Sequence, residues 1–170
     1  MATKTAESVT ATAQSTLEEH VVVFRLGVEY YALDIRAVQE IVRMQAITSI
    51  PGSEFWVEGI TNLRGRVVPV IDLRKRCNID ASEYTPETRI VVVTSDNGMV
   101  GLIVDAVSEV MRIPADQVEI PSSVVNVHEN TYLRAIAKLE DRLVSLMDLN
   151  GVLPADGKMA ASDEEEAAAA

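Results

Sequence analysis

The sequence predicts an all-β protein with only short helices, built as two five-stranded barrels that lean on one another. Three observations carry that expectation. Nearly half the residues are apolar but only 4% are aromatic, so the core must be aliphatic, and its Val and Ile suit strands better than helices. The apolar runs are only four or five residues long, too short to cross a bilayer. The third observation is an internal repeat. Residues 21–43 lie over 90–112 at a constant offset of 69 with seven of 23 positions identical, and 60–73 lie over 136–149 at an offset of 76 with six of 14 identical. Unrelated segments match at roughly one position in fifteen. A period of about 70 residues is too long for a solenoid unit but suits a small barrel. One such barrel alone buries too little surface, and a second leaning on it removes that deficit.

Met1–Thr16 is rich in Ala, Thr and Ser and lacks apolar periodicity, so residues 1–18 are expected to be a disordered arm. Val21–Leu26 and Tyr30–Ile35 read as strands joined by the turn Gly27-Val28-Glu29. In Arg36–Met44 the residues Val38, Ile41 and Val42 give only a weak helical stripe, which favours a bend running into a third strand. Ile50-Pro51-Gly52 marks a loop, and Glu54–Glu58 is expected to hold a short helix. Gly59–Leu63 and Val67–Leu73 supply the fourth and fifth strands. The first barrel is then expected at about 19–80, the second at about 88–150, within a globular region of 19–159. Gly151–Met159 should add a helical turn or strap, and residues 160–170 an acidic, low-complexity, disordered tail.

The stretch Asn62–Arg74 is the most informative. Gly65 can take the positive φ that a tight reversal needs. Pro69 interrupts a β-branched run and cannot donate to a ladder, so its nitrogen must face away from a neighbour, at an edge or a bulge. Asp72 is placed to cap the short basic turn Arg74-Lys75-Arg76.

Several function classes lose support. The net charge is −11, of which four negative charges sit at Asp163–Glu166 and a net two in residues 1–19, leaving −5. Nothing in that balance suits nucleic acid, which needs clustered Lys and Arg. There is no basic, apolar signal-peptide start and no membrane-inserting segment. One cysteine, Cys77, excludes an intramolecular disulfide and a thiol-rich metal site. The two histidines, His20 and His128, lie near no nucleophile motif. A basic turn before Cys77 would lower its pKa, whereas burial as a small hydrophobe would make it inert. Glu18/Glu19 and Glu140/Asp141 read as solvated carboxylates. No phosphate loop or calcium loop is present, so no catalytic residue, metal or cofactor is expected.

What remains is surface. Arg64 and Arg66 flank Gly65 at a hairpin tip, and the basic turn at 74–76 is expected beside them. In the second copy Leu139-Glu140-Asp141-Arg142 stands where the first has Leu63-Arg64-Gly65-Arg66. Folding needs common to both copies do not account for acids replacing Arg64 and Gly65. Arginine at a rigid tip is a docking anchor, with Val38, Ile41, Val42 and Glu40 expected as an adjoining edge.

Taken as a set, Phe24–Ile35, Val38-Gln-Glu-Ile41, Gly59-Ile-Thr-Asn-Leu-Arg-Gly65, Val68–Arg74 and Val100–Asp105 with Val107–Val110 resemble the CheW family of bacterial chemotaxis, over about residues 18–153. The resemblance implies two SH3-like barrels and a non-catalytic adaptor. Such an adaptor bridges the cytoplasmic tips of methyl-accepting receptors to the regulatory domain of the histidine kinase CheA. It implies a cytoplasmic location, at receptor arrays beneath the inner membrane. It also implies receptor- or kinase-binding roles for Val38, Glu40, Ile41, Gly59, Asn62, Arg64 and Gly65, a lesser role for Arg66, and a receptor tip lying in an apolar groove between the barrels. The alternative is a small ligand-binding or hydrolytic barrel protein that uses this groove as its site.

Overall fold

The computed structural model describes residues 18–80, 83–120 and 132–153. The N-terminal arm, His128, residues 154–159 of the expected strap and the acidic tail lie outside these residues. The regular structure of the described residues is mainly strand: β1 Glu19–Leu26, β2 Glu29–Asp34, β3 Val38–Arg43, β4 Val57–Leu63, β5 Arg66–Asp72, β6 Arg89–Ser95, β7 Gly98–Val104, β8 Ala106–Ile113, β9 Val118–Glu119, β10 Leu133–Lys138 and β11 Leu143–Met147. Two single-turn helices follow the last strand of each copy, α1 at Leu73–Arg76 and α2 at Leu149–Val152. Asp72 and Asp148 cap them, each carboxylate accepting from the backbone N–H two residues on. The expected helix at Glu54–Glu58 is absent. Val57 already pairs with Ile71, and Trp56 spends its carbonyl on the N–H of Asp72 at 2.9 Å, so the segment is drawn into the sheet.

The strands form two sheets, in the orders β8-β1-β2-β11-β10-β9 and β3-β6-β7-β5-β4. This corrects the barrel boundaries of 19–80 and 88–150. One sheet is the contiguous run from β3 to β7; the other combines β1 and β2 with β8 to β11. The two orders superpose once each strand is replaced by its repeat equivalent: β3 for β8, β6 for β1, β7 for β2, β5 for β11, β4 for β10. Each copy has therefore donated its opening hairpin to the sheet of the other. The chain changes sheets at Ile35–Ala37, a single 3₁₀ turn, and again at Asp105.

The exchange explains the sequence of the donated strands. Val21 and Val23 of β1 face the interior of their own sheet, with Ala32, Val144 and Leu146, while Phe24 and Leu26 face the other way. In β6, Ile90 and Val92 face inward with Val70 and Ile103, while Val91 and Val93 face outward. The outward sets meet in the largest core cluster, with Leu33, Ile71, Leu102 and Met147. A strand buried on both faces has no polar side, hence Val-Val-Val-Phe and Ile-Val-Val-Val rather than alternation. The centre of the expected apolar groove is accordingly filled by side chains from both sheets.

Pro69 sits on β5 between β7 and β4, so its strand is not an edge. It pairs with Ile60, whose N–H and C=O both turn outward to Thr48 (2.9 and 2.8 Å). The residue-69 nitrogen thus faces the β7 side, and the β5–β7 ladder begins only at Val70. No ladder bond is lost.

Arg74 lies at the second crossing and is 1% exposed. Its guanidinium binds Asp72 at 2.9–3.0 Å and Asp105 at 2.9 Å; the second oxygen of Asp105 accepts from Gly27 N–H at 2.6 Å. Burial disfavours the charged arginine, but hydrogen bonds and charges from Asp72 and Asp105 outweigh it and hold its pKa above the ordinary value. The expected neighbourhood of arginines is corrected here: α1 follows the C-terminal end of β5, whereas Arg64 precedes its N-terminal end. Seven residues of strand separate them by about 20 Å. Arg76 also points inward, stacking on Trp56 and donating to the carbonyls of Gly151 and Val152.

Two outcomes follow from this topology. Residues 1–80 and 81–170 made as separate chains should each lack a cooperative thermal transition, because β3 pairs with β6 across the cut; mixing them should restore one transition and native circular dichroism. Arg74→Met should lower stability in urea by about 3–5 kcal/mol, since two carboxylates are left buried without their cation.

Candidate functional site

The β4–β5 hairpin closes through Arg64 and Gly65 alone, with Leu63 paired to Arg66. Both turn residues have positive φ, 53° and 84°, and the side-chain oxygen of Asn62 accepts from Gly65 N–H at 2.9 Å. Two-residue turns of this hand match the strand twist. A Cβ on Gly65 would meet nothing within 4 Å, so the glycine is required by its backbone angle and not by crowding. At residue 64 Asn or Gly would be the low-energy choice, and an arginine there carries backbone strain.

Arg64 reaches across to Glu40 on β3 with a 3.0 Å ion pair, its own side chain 83% exposed. Arg66 lies over Met99, its guanidinium 3.7 Å from the sulfur. These residues with Gln39 and Leu63 line a shallow cleft of about 320 Å³. β3 is one of the two outer strands of its sheet, and its residues alternate half-buried and exposed from Val38 to Arg43. The expected edge of Val38, Ile41 and Val42 is divided by that alternation. Val38 packs on the core between the sheets, Val42 on the core within its own sheet, and Ile41 alone points to solvent. The structure therefore brings Glu40, Asn62, Arg64 and Gly65 together, while Ile41 faces away from Glu40 on the other side of β3.

Gly59 is different. It is buried in β4 with φ 143°, and a Cβ there would sit 2.0 Å from the carbonyl oxygen of Thr48. It gives the 46–49 segment room to bond along β4, a packing role that touches no solvent.

The second copy solves the same corner differently. Arg142, the equivalent of Arg66, takes the ion pair with Glu109 and lies 4.4 Å over the Tyr30 ring. Its tip residues Glu140 and Asp141 are exposed, and Leu139 N–H closes the turn on Arg142 C=O at 2.9 Å. Sequence comparison exposed the charge reversal but not this shift in which arginine serves the glutamate.

The candidate catalytic groups stand apart. His20 is exposed on β1 opposite Arg112. Cys77 is buried, and desolvation pushes its thiol up to about 12 against a smaller lowering by Arg76. Burial wins over the basic turn, so the thiolate is scarce at neutral pH. Among the described residues there is no cluster of three His, Cys, Asp or Glu side chains able to hold a metal, and no helix long and apolar enough to cross a membrane.

Comparison with known proteins matches this geometry to one family. The sequence model of the CheW-like domain covers residues 20–156. The chain is 34% identical over 154 residues to the chemotaxis protein CheW of Bacillus subtilis (strain 168), covering 91% of this chain and 99% of that one. It is 31% identical over 140 residues to chemotaxis protein CheW of Rhizobium meliloti (strain 1021), covering 82% and 90%. In structure it resembles the crystallised scaffolding protein TtCheW from Thermoanaerobacter tengcongensis, with a TM-score of 0.76 and 38% identity over 84% of this chain and 97% of that one. With its two exchanged all-β sheets, the chain belongs to the CheW-like domain family, whose named relatives are chemotaxis and scaffolding proteins.

Proposed function

We propose that this chain is a non-catalytic adaptor that couples the cytoplasmic tips of methyl-accepting chemotaxis receptors to the regulatory domain of the histidine kinase CheA. It acts in the cytoplasm, at receptor arrays beneath the inner membrane. The observation that carries this reading is Arg64: an exposed arginine held in a left-handed conformation, at a tip whose equivalent in the second copy carries acids. Strain kept at an exposed tip is a pointer to function.

Arg64, Gly65, Asn62 and Glu40 form the face offered to the kinase domain, with Ile41 exposed on the outer side of the same strand as Glu40. A planar guanidinium beside an apolar side chain suits a contact with an apolar centre and a polar rim. Val38 lies deeper, at the border of the core between the sheets, where a receptor hairpin tip would meet the rim of that contact. Gly59 acts through the fold. Two different ends on one chain make heterologous contacts, which propagate into rings or sheets of many weak links.

Stability and coupling should separate. In Arg64→Asn, relief of strain and loss of an exposed ion pair nearly offset, so stability should stay within about 1 kcal/mol of the parent. Kinase stimulation in a reconstituted receptor assay should nonetheless fall at least about tenfold, and Arg64→Glu should abolish it. Normal stimulation by Arg64→Glu would remove this residue from the mechanism. Gly59→Ala should instead lower stability by about 2–4 kcal/mol, from backbone strain and overpacking against Thr48. Its loss of coupling should track the unfolded fraction when both are followed across temperature.

A further inference from the structure

A second cleft opens beside the Asp105 crossing. It holds about 330 Å³ and is lined by Arg25, Tyr30, Glu87, Arg89 and Ser108, together with the two residues that follow Asp105. Ala106, Arg25 and Tyr30 are paired directly across β8, β1 and β2, so their side chains share one face of the sheet. Further along β1 the same face carries Val21 and Val23, which are buried inside the sheet. Arg25 thus stands where an inward apolar row gives way to charge. Ser108 is the extra residue of a β-bulge, since Val107 and Glu109 pair with Phe24 and Val23 on either side of it. Bulges re-aim side chains and recur beside binding sites.

Two arginines are held there with donors to spare. Arg89 is anchored through Nη1, which donates to the carbonyls of Pro86 and Thr88 at 2.8 and 2.9 Å. Arg25 meets Glu87 only at 3.7 Å, and its Nε is buried without an acceptor. Among the described residues two buried side-chain polar atoms lack a partner. The other is Nε of Arg142, whose guanidinium lies over the Tyr30 ring. A buried donor left without an acceptor is costly and calls for an account. The needs of the fold do not supply one, because the repeat equivalent of Arg25 is Thr94, an exposed neutral residue.

We propose that this cleft binds the phosphate group of a small phosphomonoester. Arg25 and Arg89 clamp the phosphate, Ser108 donates its hydroxyl, and Tyr30 walls the organic part. Guanidinium forks match phosphate oxygens in geometry and charge. Two guanidiniums against the one carboxylate of Glu87 leave the lining net positive, which suits a group of nearly two negative charges better than a carboxylate. The volume lies in the range of small-molecule sites and exceeds what phosphate alone fills, so a substituent has room. Glu87 is the competitor: it is 70% exposed, and the phosphate displaces it from Arg25. The hairpin tips take no part, and neither kinase nor receptor is required, so this proposal and the adaptor reading fail separately.

The test is a titration of the isotopically labelled full chain, followed by the NMR shifts of its amides. The probes are phenyl phosphate, inorganic phosphate and benzoate at constant ionic strength. Phenyl phosphate should saturate one site, with shifts centred on Arg25, Tyr30, Arg89 and Ser108. Inorganic phosphate should act at the same amides more weakly, and benzoate should bind at least about tenfold more weakly than phenyl phosphate. Arg25→Gln and Arg89→Gln should each weaken phenyl phosphate by about tenfold or more, since each removes a charge-assisted contact. Glu87→Gln should tighten it about two- to fivefold, because an exposed competitor is removed. Arg36→Gln, which removes an exposed arginine outside the cleft, should leave the affinity unchanged. Circular dichroism melts separate a lost site from a lost fold, and Glu87→Gln tests the site even where Arg25→Gln does not fold. No saturation by about 10 mM phenyl phosphate would overturn the proposal. So would shifts spread over the arginines generally, equal binding of benzoate, weaker binding by Glu87→Gln, or a loss in Arg36→Gln as large as that in Arg25→Gln.

Discussion

The architecture depends on one buried charge arrangement at the place where the chain passes from one sheet to the other. Asp105 stands between β7, which belongs to one sheet, and β8, which belongs to the other. Its carboxylate is held by Arg74 from the end of β5 and by the N–H of Gly27 in the β1–β2 turn, and its own N–H donates to Arg25 C=O. Three segments that must meet for the hairpins to be exchanged are thereby fixed to one another. A buried ion pair is a weak source of stability against a well-packed apolar alternative, but its geometry is exacting, and that favours one arrangement over near misses. At the other crossing Arg36 occupies the equivalent place, exposed and paired locally to Asp34. The hydrogen bond from Arg36 is the largest effect on the Asp34 carboxyl and lowers its pKa, outweighing the raising effect of burial. Only one crossing is locked from inside.

The exchange ties the two sheets into a single cooperative body. Strands β1 and β6 are each covered on both faces, so neither sheet can be removed without exposing the other's core. For a chain this small that is a physical gain: the core between the sheets is larger than the one within either. It also fixes the two hairpin ends relative to each other, which two barrels on a flexible linker would not do.

Much of this was legible in the residues. The residues gave most of the strands and the cap at Asp72, because those depend on local pattern. They did not give the pairing. An offset of 69 says that β6 is like β1, and a strand like β1 fits equally well where β1 sits or where its equivalent sits. The unbroken Val and Ile of both strands was the available clue, since burial on two faces is needed to explain the missing alternation. Arg74 was misplaced on the surface because exposure is the default for arginine. Its second carboxylate lies 31 residues away, at a crossing that no local pattern reveals. Pro69 was correctly expected to hide its nitrogen, but it does so just outside the β5–β7 ladder and not at a sheet edge. At the tip, Gly65 announced the turn; that Arg64 shares its left-handed conformation required coordinates.

The corner where hairpin meets outer strand shows how duplication makes a polar object from a symmetric one. Both copies keep a glutamate on the outer strand and an arginine two residues beyond the start of the tip, Glu40 with Arg66 and Glu109 with Arg142. In the second copy that pair is closed, and the arginine is further held by Tyr30. In the first, Arg64 has taken the glutamate and Arg66 is displaced to Met99, a neutral partner. The first corner thus holds two arginines for one glutamate, where the second holds one closed pair. The cost is a strained residue at 64 and a tip that no longer balances its own charge. Neither is needed to fold a barrel whose twin folds without them, so the imbalance is not a requirement of the fold.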